Sequence, residues 1–294
     1  MISYKLLLII NEGLIFGLFA VGVFIAFQWL RFPDLTPDGS FVLGACIYVK
    51  SVESGFIVIN ALLLSVMGGM VAGFCTAYFN KILKIPTVVS GLLVSLSLLS
   101  ISWLLLGKPN QFLTPENTLV GDIMGKKASA YLFIWLFSLS FIIIFFLKIF
   151  ADSFSGLRMR AIGENPLLPN DIGVSNYFYT FLGLGIANGI IGLTGALFTQ
   201  RSYSADINMG GGQTIIGLIG MIIGLILSRN RRNIYFVLIC IFLGAIIHKA
   251  VIFFTLEAGM PPESFKLISS FFFIILFFII KSTNIDFLKE LKWS

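Results

Sequence analysis

Ionisable residues are scarce in this sequence, so the few that cluster mark where chemistry can occur. The stretch GLRMRAIGENP, Gly156 to Pro166, sets Arg158, Arg160 and Glu164 among small and apolar residues and closes on Asn165 and Pro166. That pattern predicts a short amphipathic helix ended by Asn-Pro, because the residue before a proline avoids helical geometry. Two residues suffice to turn a chain between apolar segments, so a helix here has a further purpose. Its charges suit charge-assisted hydrogen bonds to a second surface. A helix lying on anionic headgroups accounts for the arginines but leaves Glu164 and Asn165 without a role.

Two other polar stretches resemble each other. DLTPDGS, Asp34 to Ser40, and DINMGGGQ, Asp206 to Gln213, each run from an acid through a polar residue to glycine and then into an apolar segment. Helix N-termini at these points would present N–H groups and the positive dipole end, suited to a carboxylate. Asp34 or Asp38 would cap the same helices, and capping is the expected role of the aspartates. Asn188 and Gln200, in and at the end of a glycine-rich segment, face either a permeation path or another helix. The candidate path residues are therefore Asp34, Thr36, Asp38, Gly39, Ser40, Asn188, Gln200, Asn208, Met209 and Gly210. His248 and Lys249 lie together late in an apolar segment, where ionisable groups are costly. They serve a proton relay, or else the lysine snorkels to headgroups while the histidine bonds a neighbouring carbonyl.

Enzymatic chemistry has little to work with. There is no GxxxxGK[ST] loop, no HExxH and no Ser/His/Asp constellation, and the single histidine restricts metal binding. Cys46, Cys75 and Cys240 stand in separate apolar runs without metal-type spacing and are expected to be packing residues.

The elements that position these residues follow from composition. Of 294 residues, 57% are hydrophobic and 12% charged, against about 25% charged in soluble domains. Apolar runs fall at about 6–30, 41–53, 55–80, 86–107, 131–150, 176–200, 213–228, 233–254 and 265–282. Runs of this length cross about 30 Å of hydrocarbon as helices, and they lack the alternation of a membrane barrel. The expected fold is an all-α polytopic membrane protein of eight or nine transmembrane helices in a single domain, 1–294. The opening MISYKLLLIINEG has no small-residue cleavage site and reads as an uncleaved first segment.

The net charge of +6 is spread over short linkers rather than gathered on one basic face, which argues against nucleic acid as a partner. Lys81 and Lys84, then Lys148, Arg158 and Arg160, then Arg229, Arg231 and Arg232, then Lys281, Lys289 and Lys292 alternate with poorer linkers. The positive-inside rule makes these linkers and the C-terminus cytoplasmic. The loop 108–130 falls outside despite Lys108, Lys126 and Lys127. Residues 31–54 contain RFPDLTPDGS, then an apolar run too short to span, and predict a broken or re-entrant helix. Irregular backbone at membrane depth survives only against protein or a water-filled cavity, so the break marks a candidate path. If 41–53 re-enters, the N-terminus is inside; if it spans, outside. Glycines in GGMVAG (68–73), GLGIANGIIGLTG (183–195) and GLIGMIIG (217–224) predict close helix packing.

GLRMRAIGENPLLPNDIGVS resembles the cytoplasmic coupling segment of permease subunits in type II ATP-binding-cassette importers, the branch serving branched-chain amino acids, ribose-type sugars and nucleosides. Gly156, Leu157, Arg160, Ala161, Gly163, Asn165, Gly173 and Val174 fall on the family pattern. RFPDLTPDGSFVLGA is similar to the family's broken second helix. GALFTQRSYSADINMGGGQTIIGLIGMIIGLIL looks like a region of a narrower subgroup associated with tryptophan or tyrosine uptake. Where that subgroup often carries Glu soon after IIG, Leu225 follows Gly224 here.

The resemblance implies a pore-forming dimer, most simply of identical subunits, in the bacterial cytoplasmic membrane. Substrate would arrive from an extracytoplasmic binding protein. Two ATPase subunits would dock beneath, gripping a coupling segment of about 152–175 through Gly156, Leu157, Arg158, Arg160, Ala161, Gly163, Glu164, Asn165 and Pro166. It implies no cofactor on this chain, with ATP and magnesium on the ATPases, and a small polar substrate, an amino acid and possibly an aromatic one. The rivals are a proton- or sodium-coupled transporter, which would need coupling charges such as Glu12, His248 and Lys249, and a membrane-embedded enzyme, which the missing catalytic clusters oppose.

Overall fold

The structure, a computed structural model, describes residues 2–121, 125–165, 175–228, 233–261 and 264–282. Pro166, Gly173, Val174, Arg229, Arg231, Arg232, Lys289 and Lys292 lie outside the described residues.

The first apolar run forms α1 (Ile2–Phe24) and continues as a π-helical turn, Ile25–Trp29. Regular structure is lost over residues 30–36, and α2 (Pro37–Glu53) then starts on proline, where the missing N–H would have had no partner within the helix. α3 (Val58–Lys81) and α4 (Thr87–Leu106) follow, α4 ending on left-handed Gly107 at φ 70°. A short strand β1 (Asn110–Phe112) leads to α5 (Gly125–Asp152), α6 (Phe154–Glu164) and α7 (Asn176–Ser202). Then come β2 (Ser204–Asp206), a 3-10 turn Ile207–Gly210, α8 (Gln213–Leu227), α9 (Ile234–Glu257) and α10 (Phe265–Ser282).

Seven helical stretches among the described residues are long and apolar enough to span a membrane. They are α1 with its π turn, α3, α4, α5, α7, the 3-10 turn with α8, and α9. α2, of 17 residues, and α10 supply the two remaining apolar segments. The protein is an all-α polytopic membrane protein, and the anticipated helix break is present between α1 and α2.

β1 and β2 pair antiparallel, Gln111 opposite Ala205, and form a ribbon on one face. Near that face Glu12 of α1 meets Arg201 in the last turn of α7. The other end of α1 reaches α6, where the Trp29 ring lies under the Arg160 guanidinium. α1 therefore runs from the ribbon face to the α6 face, and α7 runs back. α1, α7 and α8 are about two-thirds to four-fifths buried, whereas α3, α4 and α5 are a third buried or less. The latter turn large apolar side chains such as Leu104 and Phe146 outward, as lipid contact requires.

Hydrocarbon gives helices no hydrophobic reason to associate, so close backbone approach must supply dispersion contacts. A Cβ on Gly44 of α2 would stand 2.0 Å from the Gly192 carbonyl oxygen of α7, and one on Gly69 of α3 would stand 2.1 Å from that of Asn188. Both obstacles are backbone and cannot swing aside. Gly69→Val is therefore expected to destabilise the purified protein by roughly 2 kcal/mol or more, while Leu104→Ala, on the exposed flank, leaves the unfolding midpoint nearly unchanged. Equal midpoints for the two variants in a detergent melting assay would disprove the glycine seam.

Candidate permeation site and docking helix

The irregular segment after α1 is held by Asp34, which is wholly buried. Its Oδ1 accepts from the Thr36 backbone N–H at 2.8 Å and from the Thr36 hydroxyl. Its Oδ2 accepts from Asn188 Nδ2 of α7 at 2.8 Å. Asn188 Oδ1 accepts from the Ser40 hydroxyl of α2 at 2.7 Å, and the Thr36 and Thr76 hydroxyls lie 2.6 Å apart. The break, α2, α3 and α7 thus meet in one fully buried network. α4 closes it, since a Cβ on Gly91 would sit 2.9 Å from Asp34 Oδ1. A buried carboxylate without a cation needs this many donors.

Asp38, in the first turn of α2 and half-exposed, caps a different helix from the one it belongs to. Its Oδ2 accepts from Gly212 N at 3.0 Å, and its Oδ1 accepts from Thr214 N and the Thr214 hydroxyl, each at 2.7 Å. Those groups open α8, whose own N-cap position is Gly212 with φ 86°. Gly210 packs directly under the Asp38 carbonyl. The two similar stretches seen in the sequence are therefore neighbours in space, two helix starts joined by one carboxylate.

The remaining path candidates scatter. Gly39 abuts Ser95 of α4. Gln200 accepts from Leu119 N at 2.9 Å and fastens the loop after β1, at the ribbon end of α7 and away from Asn188. Asn208 is exposed, and its N–H caps onto Asp206. Met209 is half-buried, its carbonyl accepting from Gln213 Nε2. Sequence reading missed Thr76 and Thr214. Both are lone hydroxyls beside glycine-rich apolar runs, and only the partner across the interface reveals their use.

α6 starts two residues before the expected helix and ends on Glu164. Ser153 caps it, its Oγ accepting from Gly156 N. Gly156, Met159, Ile162 and Gly163 face inward. Arg160, expected to reach a partner, makes contacts within the chain. Its Nη2 donates to Ala151 O at 2.8 Å, its Nε donates to Gly156 O at 3.4 Å, and the plane covers Trp29. Gly163 lets α6 approach the Trp29 carbonyl, which a Cβ would meet at 2.2 Å. Facing outward are Phe154, Leu157, Arg158 and Glu164, with Ala161 half-buried at the flank and Asn165 exposed just beyond.

Near the ribbon face Lys249 does not snorkel. Its Nζ lies 3.7 Å from Glu12 Oε2 and 3.6 Å from the centre of the Phe16 ring, while Arg201 takes the other Glu12 oxygen. Neither ring nitrogen of buried His248 has a hydrogen-bond partner, so the expected carbonyl bond is absent, and the ring stacks on Phe272. No group of three or more His, Cys, Asp or Glu among the described residues could hold a metal.

Seven candidate spans among the described residues, with two buried helix starts between them, define a multi-pass membrane protein. The chain belongs to the family described as branched-chain amino acid transport system / permease component, which it matches over residues 5–280. It is 31% identical over 281 residues, 96% of this chain and 92% of the other, to a tyrosine transport system permease protein of Clostridioides difficile. An uncharacterized Rickettsia prowazekii protein is 30% identical over 94% of this chain and 96% of its own. In fold the chain resembles a chain of PsaBC from Streptococcus pneumoniae in complex with Fab, with a TM-score of 0.53 and 16% identity over 96% of this chain and 95% of that one.

Asn188→Leu would strip a donor from Asp34 and the acceptor from Ser40 at once. The expected loss is roughly 3 kcal/mol of stability, because a buried carboxylate is left short of a partner. Asp38→Asn keeps half of its cap and should lose less than Asp38→Ala. Thermal unfolding of the three variants checks the order, and a wild-type midpoint for Asn188→Leu would remove the network from the account.

Proposed function

We propose that this chain is the membrane-spanning permease subunit of an ATP-driven, binding-protein-dependent importer of a small polar solute, an amino acid and in particular an aromatic one. The observation that carries the reading is the division of α6. One side is clamped to the bundle, while the other leaves Phe154 at 83% exposure and Leu157 at 58% beside the exposed Arg158 and Glu164. Apolar side chains rimmed by charge at a helix surface suit a protein partner. The partners are a second permease subunit, most simply an identical copy, two ATPases that carry ATP and magnesium, and an extracytoplasmic binding protein, all at the bacterial cytoplasmic membrane. Lys81, Lys148, Arg158 and Arg160 at the α6 end make that face cytoplasmic by the positive-inside rule. The N-terminus is then outside, and α10 returns the chain to the cytoplasm.

The geometry supplies a route for coupling. A push on α6 passes through Gly163 to the Trp29 carbonyl and through Arg160 to the end of α5. Trp29 ends α1 immediately before the break that Asp34 holds. Moving α6 therefore bears on the two helix starts joined by Asp38, and a rigid-body switch of packed helices follows. The amino-acid substrate is supported by the family and by the tyrosine transport relative.

A coupled secondary transporter is favoured by one observation, the Glu12, Arg201 and Lys249 cluster within spanning helices. The two readings part in an uptake assay. Tagged wild-type chain is expected to co-purify with cellular ATPase subunits, and the double variant Leu157→Asp, Glu164→Arg to lose them while keeping its unfolding midpoint. Uptake in cells should survive a protonophore so long as ATP is maintained. Uptake that collapses with the proton gradient at constant ATP, with no ATPase recovered, would hand the protein to the rival.

A further inference from the structure

We propose that the cavity between the start of α8 and the start of α10 binds a singly charged oxyanion, a carboxylate or a phosphodiester. The cavity measures about 250 Å³, below the roughly 300–1,000 Å³ that encloses a whole drug-sized ligand. It therefore takes a charged group, with the rest of the ligand outside. One wall is the N-terminus of the 15-residue α8, where Gly211 and Gly212 stand beside Ile215 and Ile216, the two glycine N–H groups being taken by Asn208 O and Asp38. The opposite wall carries Lys266 and Ser269 of α10.

Three features point to an anion. Lys266 Nζ reaches over α8, 3.4 Å from where a Cβ on Gly211 would be. Among the described residues no carboxylate pairs with it, and it stands in the first turn of α10, where a helix dipole disfavours a cation. Ser269 is 3% exposed and its hydroxyl has no hydrogen-bond partner. A buried hydroxyl left idle on a cavity wall is a donor awaiting an acceptor. Ser270, beside it, is already spent on the Lys266 carbonyl.

The charge balance sets the class. Asp38 contributes one negative charge, turned onto Gly212 N and Thr214. Lys266 contributes one positive charge and the α8 terminus roughly half of one. Among the described residues the net is about half a charge positive, enough for a monoanion and too little for a dianion. Both a phospholipid diester and the carboxylate of a solute meet that description. The inference stands apart from the ATPase coupling, because binding requires only this chain.

The test uses the purified full-length chain in a neutral maltoside detergent, titrated with dioctanoyl phosphatidylglycerol, dioctanoyl phosphatidylcholine, sodium acetate and sodium chloride at matched ionic strength. The readout is the unfolding midpoint, from which an apparent affinity follows. Wild type is expected to be stabilised by phosphatidylglycerol or by acetate beyond chloride. Lys266→Gln should weaken that affinity about tenfold, the loss of one charge-assisted hydrogen bond, and Lys266→Arg should retain it. Stabilisation by phosphatidylglycerol alone assigns the site to lipid, and stabilisation by acetate assigns it to a free carboxylate. Gly211→Leu, which fills the cavity from the α8 side and crowds the Lys266 ammonium, should weaken binding as much, so the proposal stays testable if Lys266→Gln fails to fold. No stabilisation beyond chloride and phosphatidylcholine, or unchanged affinity in Lys266→Gln or Gly211→Leu, would overturn it.

Discussion

A peptide group at membrane depth must find its hydrogen-bond partner inside the protein, and the rest of this structure answers to that constraint. Among the described residues the chain departs from helix twice in the bundle, over residues 30–36 and around Gly211 and Gly212. Each departure exposes the first N–H groups of a new helix. Asp34 and Asp38 answer them in different ways. Asp34 gathers the break itself onto α3 and α7 through Thr36, Thr76 and Asn188. Asp38 reaches from one helix start to the other and satisfies α8. Neither carboxylate is a coupling charge in the sense of an isolated intramembrane acid; each is held by donors on several elements.

The bundle is not packed alike throughout. Packed cores shift between discrete arrangements rather than deforming smoothly. A seam such as α2–α3–α7, where glycines bring backbones into contact, is rigid because its obstacles are carbonyl groups. At the α6 end the links to the bundle are the Arg160 bond to Ala151, the Arg158 bond to Tyr179 of α7, and the close approaches of Gly156 to Phe150 and of Gly163 to Trp29. Trp29, which Gly163 meets, ends the first helical run just before the break held by Asp34.

Near the ribbon face, Glu12, Arg201 and Lys249 bind α1, α7 and α9 by shared charge. Charges within spanning helices persist when each finds a partner, and here one carboxylate serves two cations. His248, next in sequence to Lys249, shares none of this, because its ring faces Phe272 on α10. Adjacent residues on a helix point in different directions, so two ionisable residues side by side in sequence belong to separate environments.

Composition and run length determined the class and the helical spans, and RFPDLTPDGS before a short apolar run marked the break before α2, because the cost of unpaired backbone in lipid leaves few alternatives. The charged interruption at 156–166 was legible as a helix for the same reason, and its family pattern was legible in its residues. What sequence could not decide was the use of each polar side chain. Arg160 and Arg158 stand two residues apart with the same chemistry, yet one clasps Ala151 of α5 while the other, exposed, reaches the Tyr179 hydroxyl of α7. Asn188 and Gln200 lie on one helix, yet one completes the Asp34 network and the other pins a loop. Thr76 and Thr214 carried no local signal at all. Hydrogen-bond partners on separate elements are set by which helices touch and at what rotation, and only tertiary packing fixes that.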